Sequence, residues 1–374
     1  MSKYDAYSRN SWVEVSANSF KKNLRTVKTL VECKVLQVVK ANAYGHGIEY
    51  IARLAYEAGA TYVGVATVGE AAVLRDAGIK GRIFLMATYD EEDIDWLISN
   101  QIDFSVWDSR QIEAVHERTS GDGPSAKLHL KVDTGMGRLG CFPRDASALM
   151  EDILTRDGTE FAGLWTHFAK ADSLDATFTE QQIEKFVTLA EKASSLSSSV
   201  LVHASNSPGA LLQKRARFDM VRLGIISYGI SPDPEIALPV GIAPVLRWKA
   251  RLASVRTFDK DTPISYGGEY LTVRDNERIG IIPVGYADGF RRGHTNDLLI
   301  RGMRIKTVGR ICMDQCMVSL PDGVDFQVGD VVTILGRQDG QEISADDIAE
   351  RWGTNAYDVV ANIAPRVPRK VVDE

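Results

Sequence analysis

Eight short runs of apolar and β-branched residues recur through the first two-thirds of the chain, and amphipathic stretches separate most of them. The runs are KVLQVV (34–39), TYVGVA (61–66), RIFLMA (82–87), IDFSV (102–106), KLHLKV (127–132), FAGLWTHF (161–168), LVHAS (201–205) and MVRLGII (220–226). Runs of this kind suit parallel strands buried on both faces. Between them GIEYIARLAYEAGA, VGEAAVLRDAG, SRQIEAVHERTS and TFTEQQIEKFVTLAEKASSL carry helical periodicity and end near glycine or serine. Strand and helix alternating in this way predict a (β/α)8 barrel.

After about residue 240 the texture changes. VLRWKARLASVRTF, ERIGIIPVGYADGF, LLIRGMRIKTVGRICMDQCMVSL and DVVTILG read as strands with no helix between them. The expected fold is therefore an N-terminal (β/α)8 barrel over residues 12–240 followed by a mainly-β domain over 241–374, which residues 1–11 join. SADDIAERWG reads as a helix with Ser344 as N-cap and Asp347 in the position a capping box would use, and AYDVVANI as a second helix.

Composition narrows the function. With 44% hydrophobic residues and 25% charged among 374, the chain is an ordinary globular protein with a large core. A formal net charge of −6 without a lysine or arginine block argues against nucleic acid and acidic membranes as partners. No apolar signal region and no run near the ~20 residues of a membrane span are present, so the expected compartment is the cytoplasm. Cys33, Cys141, Cys312 and Cys316 are too scattered for a disulfide framework, and the C-x-x-x-C spacing of the last two gives no reason to expect a metal.

In a parallel barrel the reactive groups stand at the C-terminal strand ends. Here those ends carry Lys40, Lys131 with Asp133, His167, His203 with Ser205 and Asn206, and Arg222. Taken singly, Lys40 is as well explained by a solvated strand end. In a pocket, desolvation lowers a lysine below its ordinary pKa of ~10.4, and the neutral amine attacks carbonyls.

VVKANAYGHG (38–47), VDTGMGRLG (132–140), THFAKAD (166–172), SNSPGA (205–210), VRLGIISYG (221–229), ISYGGEY (264–270), IPVGYADG (282–289) and GRICMDQCMV (309–318) follow one another in order. With these motifs the chain resembles the alanine racemase family over nearly its whole length. The resemblance implies a barrel with a β-domain, pyridoxal 5'-phosphate as cofactor, a small amino acid as substrate, and a homodimer with shared active sites that supplies D-alanine for peptidoglycan.

Residue by residue, it implies that Lys40 holds the cofactor covalently and, once released, serves as one base. Tyr266, from the other subunit, is the opposed base. Tyr44, Ser207, Tyr357 and the backbone at Gly224 and Ile225 would hold the phosphate, with Asn206 beside them, and Arg222 would face the pyridine nitrogen. His203 and Arg222 match a hydrogen-bonded chain behind the tyrosine, and His167 would lie near the cofactor ring. Arg138 would bind the substrate carboxylate. Lys131 aligns with a lysine that is carbamylated in many members and orients that arginine. Met313 and Tyr286 would narrow the entrance from the other subunit, with Asp314 in support. The chain departs from the family near its end, where Asp358 and Ala361 replace a glutamate and a cysteine.

Two other readings share the lysine motif. A barrel decarboxylase would show a glycine-triplet phosphate loop and a Glu-Pro-Gly-Arg segment, which this sequence lacks. A one-domain pyridoxal-phosphate carrier would end near residue 240.

Overall fold

A computed structural model describes residues 9–119 and 123–373. The chain divides into two compact units, one of residues 20–43 and 48–243, the other of residues 9–19, 44–47 and 244–373.

The first unit is a parallel barrel. Its strands, in chain order, are Lys34–Val38, Tyr62–Val65, Arg82–Leu85, Ile102–Val106, Ala126–Lys131, Thr159–Trp165, Leu201–His203 and Met220–Leu223. Each pairs in parallel with the next up to Leu201–His203, and Met220–Leu223 pairs with Lys34–Val38. The last seam carries Asp219 N–H to Val202 O at 3.1 Å and Arg222 N–H to Ser205 O at 2.9 Å, which nearly closes the ring. All eight expected strands are present, because burial on both faces left each with a continuous apolar run. The expected helices are Ile48–Glu57, Val68–Asp76, Ser109–Thr119 and Thr177–Leu196. The expected helical stretch 109–120 ends on Ser120, which lies outside the described residues.

The second unit is built on a ten-stranded sheet that includes Leu246–Arg251, Glu277–Ile282, Met303–Val308, Cys316–Leu320 and Val331–Gln338. Strand Ser11–Ser16 belongs to this sheet, antiparallel to Leu246–Arg251 and parallel to Arg369–Val372. Residues 12–19 thus go with the β-rich unit, where the sequence suggested the barrel. Of the expected N-terminal segment, residues 1–8 lie outside the described residues, while Arg9 donates to Asp288 Oδ1 at 2.5 Å within this unit. The expectation of strands without helices also needs correction. Short helical turns at Tyr266–Gly268 and Tyr286–Asp288 interrupt them, each supported by glycine backbone that strand periodicity does not register.

Ala345–Trp352 is capped as expected. Ser344 Oγ accepts from Asp347 N–H at 3.0 Å and Asp347 Oδ2 accepts from Ser344 N–H at 2.8 Å. Ser344→Ala is expected to destabilise the protein by about 1 kcal/mol in urea titration, since only one of the two reciprocal bonds survives it. Among the described residues no helix is long and apolar enough to cross a membrane.

Candidate functional site

The C-terminal strand ends of the barrel gather basic groups around Arg222. Arg222 is 2% exposed. Nη1 donates to His203 O at 3.0 Å and faces His203 Nδ1 at 3.1 Å. Nη2 donates to Thr166 O at 2.7 Å and Ala204 O at 2.8 Å, and faces His167 Nδ1 at 3.2 Å. The Nη hydrogens are therefore engaged with protein acceptors, while Nε–H meets no acceptor among the described residues. Burial pulls the guanidinium down to about 9, which still leaves it charged at neutral pH.

Trp165 lies under this cluster. Its ring stacks on His203 with centroids 5.7 Å apart, and it carries Arg222 Cζ at 4.8 Å and Lys131 Nζ at 4.3 Å. Such contacts offset part of the desolvation of both cations. Lys131 is drawn down to about 7, first by burial and then by Arg138 and Arg222. Burial and then Arg138 lower Lys40 as well, against an opposing pull from Glu70. His167 and His203 are held neutral, well below the ordinary histidine value, by burial and then by Arg222.

Lys40 opens a turn of unusual hand. Ala41, Asn42, Ala43 and Tyr44 have φ of 52, 53, 54 and 52°. No glycine relieves them, and each left-handed residue costs about 1–2 kcal/mol. The strain is offset by local bonds. Ala43 N–H donates to Val39 O at 2.7 Å, and Asn42 Oδ1 accepts from Ile48 N–H at 2.9 Å. Glu70 accepts from Ala41 N–H at 2.6 Å with Oε1 and from Ala66 N–H at 2.8 Å with Oε2. Sequence reasoning missed Glu70, although its place in the Thr67–Glu70 capping box was visible. Glu70→Ala removes both carboxylate bonds and half of that box, and is expected to destabilise the protein by about 2–3 kcal/mol. Urea titration checks this, and an unchanged midpoint would show that the turn holds without the clamp.

Arg138 is exposed at the end of a loop folded on Asp133, whose Oδ1 accepts from the N–H groups of Gly135, Met136 and Gly137 at 2.8, 2.8 and 3.1 Å. A Cβ on Gly140, at φ +128°, would lie 2.6 Å from Asp133 N. Ser207 and Gly224 meet directly, Gly224 N–H donating to Ser207 Oγ at 2.9 Å, and Ile225 begins the following turn. Asn206, expected beside the phosphate, also has a structural task. It caps the helix Ser207–Leu212, with its Oδ1 accepting from Gly209 N–H at 3.1 Å.

These groups fit pyridoxal phosphate. An Arg222 Nε–H free to donate suits the ring nitrogen, a lysine lowered by burial suits the aldehyde, and convergent small residues at 207 and 224 suit a phosphate.

The β-rich unit brings together the remaining residues named from sequence. Tyr44 and Tyr357 have ring centroids 6.0 Å apart. Beside them a Cβ on Gly45 would lie 2.0 Å from Val360 O, so the loop reaches this helix only through glycine. Asp358, at the departure from the family pattern, accepts from Thr354 Oγ1 at 2.8 Å and pairs with Arg291. Elsewhere in this unit, Ser265 Oγ donates to Arg310 O at 2.6 Å and Tyr286 N–H to Cys312 O at 3.1 Å, which draws the segments bearing Tyr266, Tyr286 and Met313 together. Those three residues are 63, 38 and 52% exposed. Asp314 Oδ1 accepts from Arg366 Nη2 at 2.7 Å.

The chain is similar to known proteins over nearly its whole length. Residues 15–232 match the model of the alanine racemase N-terminal domain and residues 245–371 that of the C-terminal domain. The alanine racemase of Symbiobacterium thermophilum is 39% identical over 96% of this chain and 97% of its own, and that of Desulfovibrio desulfuricans 37% over 98% and 100%. Among solved structures, alanine racemase of Clostridium difficile superposes with a TM-score of 0.92 at 30% identity, covering 98% of this chain and 97% of that one. The Bacillus anthracis enzyme with bound L-Ala-P gives 0.91 at 32%, covering 98% and 96%.

Proposed function

Because the chain belongs to the alanine racemase family, isomerases of L- and D-alanine, we propose that it works with pyridoxal phosphate in the barrel mouth, Lys40 and a partner copy's Tyr266 acting as opposed bases. Pyridoxal phosphate, when bound, supplies an aldehyde that condenses with amines and a conjugated ring that draws electrons from the substrate Cα. Lys40, whose amine gives up its proton more readily because of burial and then Arg138, can take the proton from one side of Cα. Tyr266 delivers or takes the proton on the other side. Its exposure, with that of Tyr286 and Met313, supports a role toward a second chain, and hence a homodimer.

The observation that carries the reading is the Arg222 frame. An arginine keeps its proton, so Nε–H would donate toward the ring nitrogen without protonating it. His167 follows from the same frame. With Nδ1 facing a donor, its proton sits on Nε2, from which it can only donate and so favours an anionic acceptor such as the tyrosine phenolate.

Arg138 supplies the fork for the substrate carboxylate. Lys131, at about 7 amid Arg138, Arg222 and Lys40, offers a neutral amine in a cationic setting that welcomes a negative group. Its amine attacks carbon dioxide, an N–C bond forms, and the displaced proton leaves to solvent. The resulting carbamate would orient Arg138. A carbamate resonance from 13C-labelled bicarbonate is expected in the parent protein and absent in Lys131→Arg. The D-alanine formed would serve wall peptide.

The test of the function is the circular dichroism of L-alanine with purified protein and pyridoxal phosphate. Decay to zero, matched by D-alanine, is expected. A constant signal from a yellow protein would keep the cofactor and overturn alanine racemisation.

A further inference from the structure

Barrel interiors are ordinarily filled by branched apolar side chains, yet here a row of buried polar groups runs on from Arg222. His203 Nε2 and His129 Nδ1 are 3.0 Å apart. His129 Nε2 lies 3.5 Å from Asp103 Oδ2, which also accepts from Tyr62 OH at 2.9 Å and from Arg82 Nη2 at 2.8 Å. His203 and His129 are 0% exposed and Asp103 2%. The backbone is shaped to admit this row. The register between the strands Ala126–Lys131 and Thr159–Trp165 shifts between Leu128 and His129, and a Cβ on Gly163 would lie 2.1 Å from His129 Nδ1.

Donor and acceptor roles along the row follow from its first member. Arg222 Nη1 can only donate, so His203 Nδ1 is the acceptor and the proton of neutral His203 sits on Nε2. That proton is donated to His129 Nδ1. The proton of neutral His129 is then on Nε2, facing the Asp103 carboxylate. The two hydrogen-bonded links point the same way, and the 3.5 Å contact of His129 Nε2 with Asp103 continues the row electrostatically, from a guanidinium that makes no ion pair among the described residues to a carboxylate anchored by Tyr62 and Arg82.

We propose that His129 and Asp103 are positioning residues which, through His203, fix the tautomer beneath Arg222 and so hold its guanidinium with Nε–H turned to the cofactor ring nitrogen. The proposal rests on the reading of Arg222 given above. His129→Leu removes the acceptor for His203 Nε2–H and leaves that proton buried and unpaired, a cost relieved by moving it to Nδ1 against Arg222, so the tautomer is no longer held from both ends. His129→Gln can accept with its carbonyl and donate with its amide, and so restores the direction of the row.

The test is nitrogen-15 NMR of the imidazoles in the labelled holoenzyme, with signals assigned through His129→Gln and His203→Gln, beside steady-state kinetics. Neutral Nε2–H tautomers are expected for both histidines in the parent and for His203 in His129→Gln. In His129→Leu a mixed or Nδ1–H signal is expected for His203, with kcat lower by about tenfold to a hundredfold at little-changed KM. A parent His203 in the Nδ1–H or doubly protonated form, or His129→Leu turning over like the parent, would overturn the proposal. If the two variants lose activity alike, the row is packing and not a directed relay. The NMR readout needs no turnover. The expected tautomers in a protein that binds no pyridoxal phosphate would overturn the reading at Arg222 and leave the relay intact.

Discussion

Lys40→Ala is expected to lower turnover of both alanine enantiomers by at least about 10³-fold, within the range set by loss of a positioned acid–base group and made worse by loss of the covalent tether. Lys40 is the lysine that fits the tether on two grounds. Its amine is partly desolvated, and Glu70 clamps the left-handed turn that begins at Lys40. Lys131 competes for the role, because at about 7 it is lowered further. Position decides between them. Lys131 closes a strand with its Nζ over the Trp165 ring and 3% of the residue exposed, whereas Lys40 stands two residues past its strand on a turn that is costly to form. Borohydride reduction of the protein with pyridoxal phosphate, followed by peptide mapping, separates the two. Label on Lys40 in the parent and none in Lys40→Ala is expected, while label on Lys131 in the parent would reverse the assignment.

Much of this site was legible in the sequence because barrel strands end where the chemistry stands. Once eight apolar runs were aligned, Lys40, Lys131, His203 and Arg222 fell at or near strand ends without any knowledge of contacts. What stayed hidden had a different physical origin. KANAY contains no glycine, so nothing in composition signals four left-handed residues in a row. Glu70 closes a capping box with Thr67, and its second role depends on which backbone lies nearby. Asp103 and His129 sit inside IDFSV and KLHLKV, where alternation would assign each to one face of a strand. Only the register shift and the space left by Gly163 bring them into one buried row. Asn206 gave no sign of its structural role. It stands beside Ser207 in a phosphate-like motif, and its acceptor closes a helix end.

Mixing inactive Lys40→Ala with inactive Tyr266→Phe is expected to recover about one quarter of parent activity, because the proposed site takes Lys40 from one chain and Tyr266 from its partner. Random reassociation makes about half of the dimers mixed. Each mixed dimer holds one site with both native bases and one with neither. A site built within a single chain would leave every site in every dimer with one base missing, and mixing would recover nothing. The variants suit the test because Tyr266 is 63% exposed, so its change to phenylalanine disturbs no packed core. Tyr266→Phe alone carries a further expectation. Proton removal should fail for one enantiomer far more than for the other, since Lys40 still faces its own side of Cα. Equal losses in both directions of Cα hydrogen exchange, together with no recovery on mixing, would remove Tyr266 from the role of second base and with it the physical reason for the chain to act as a pair.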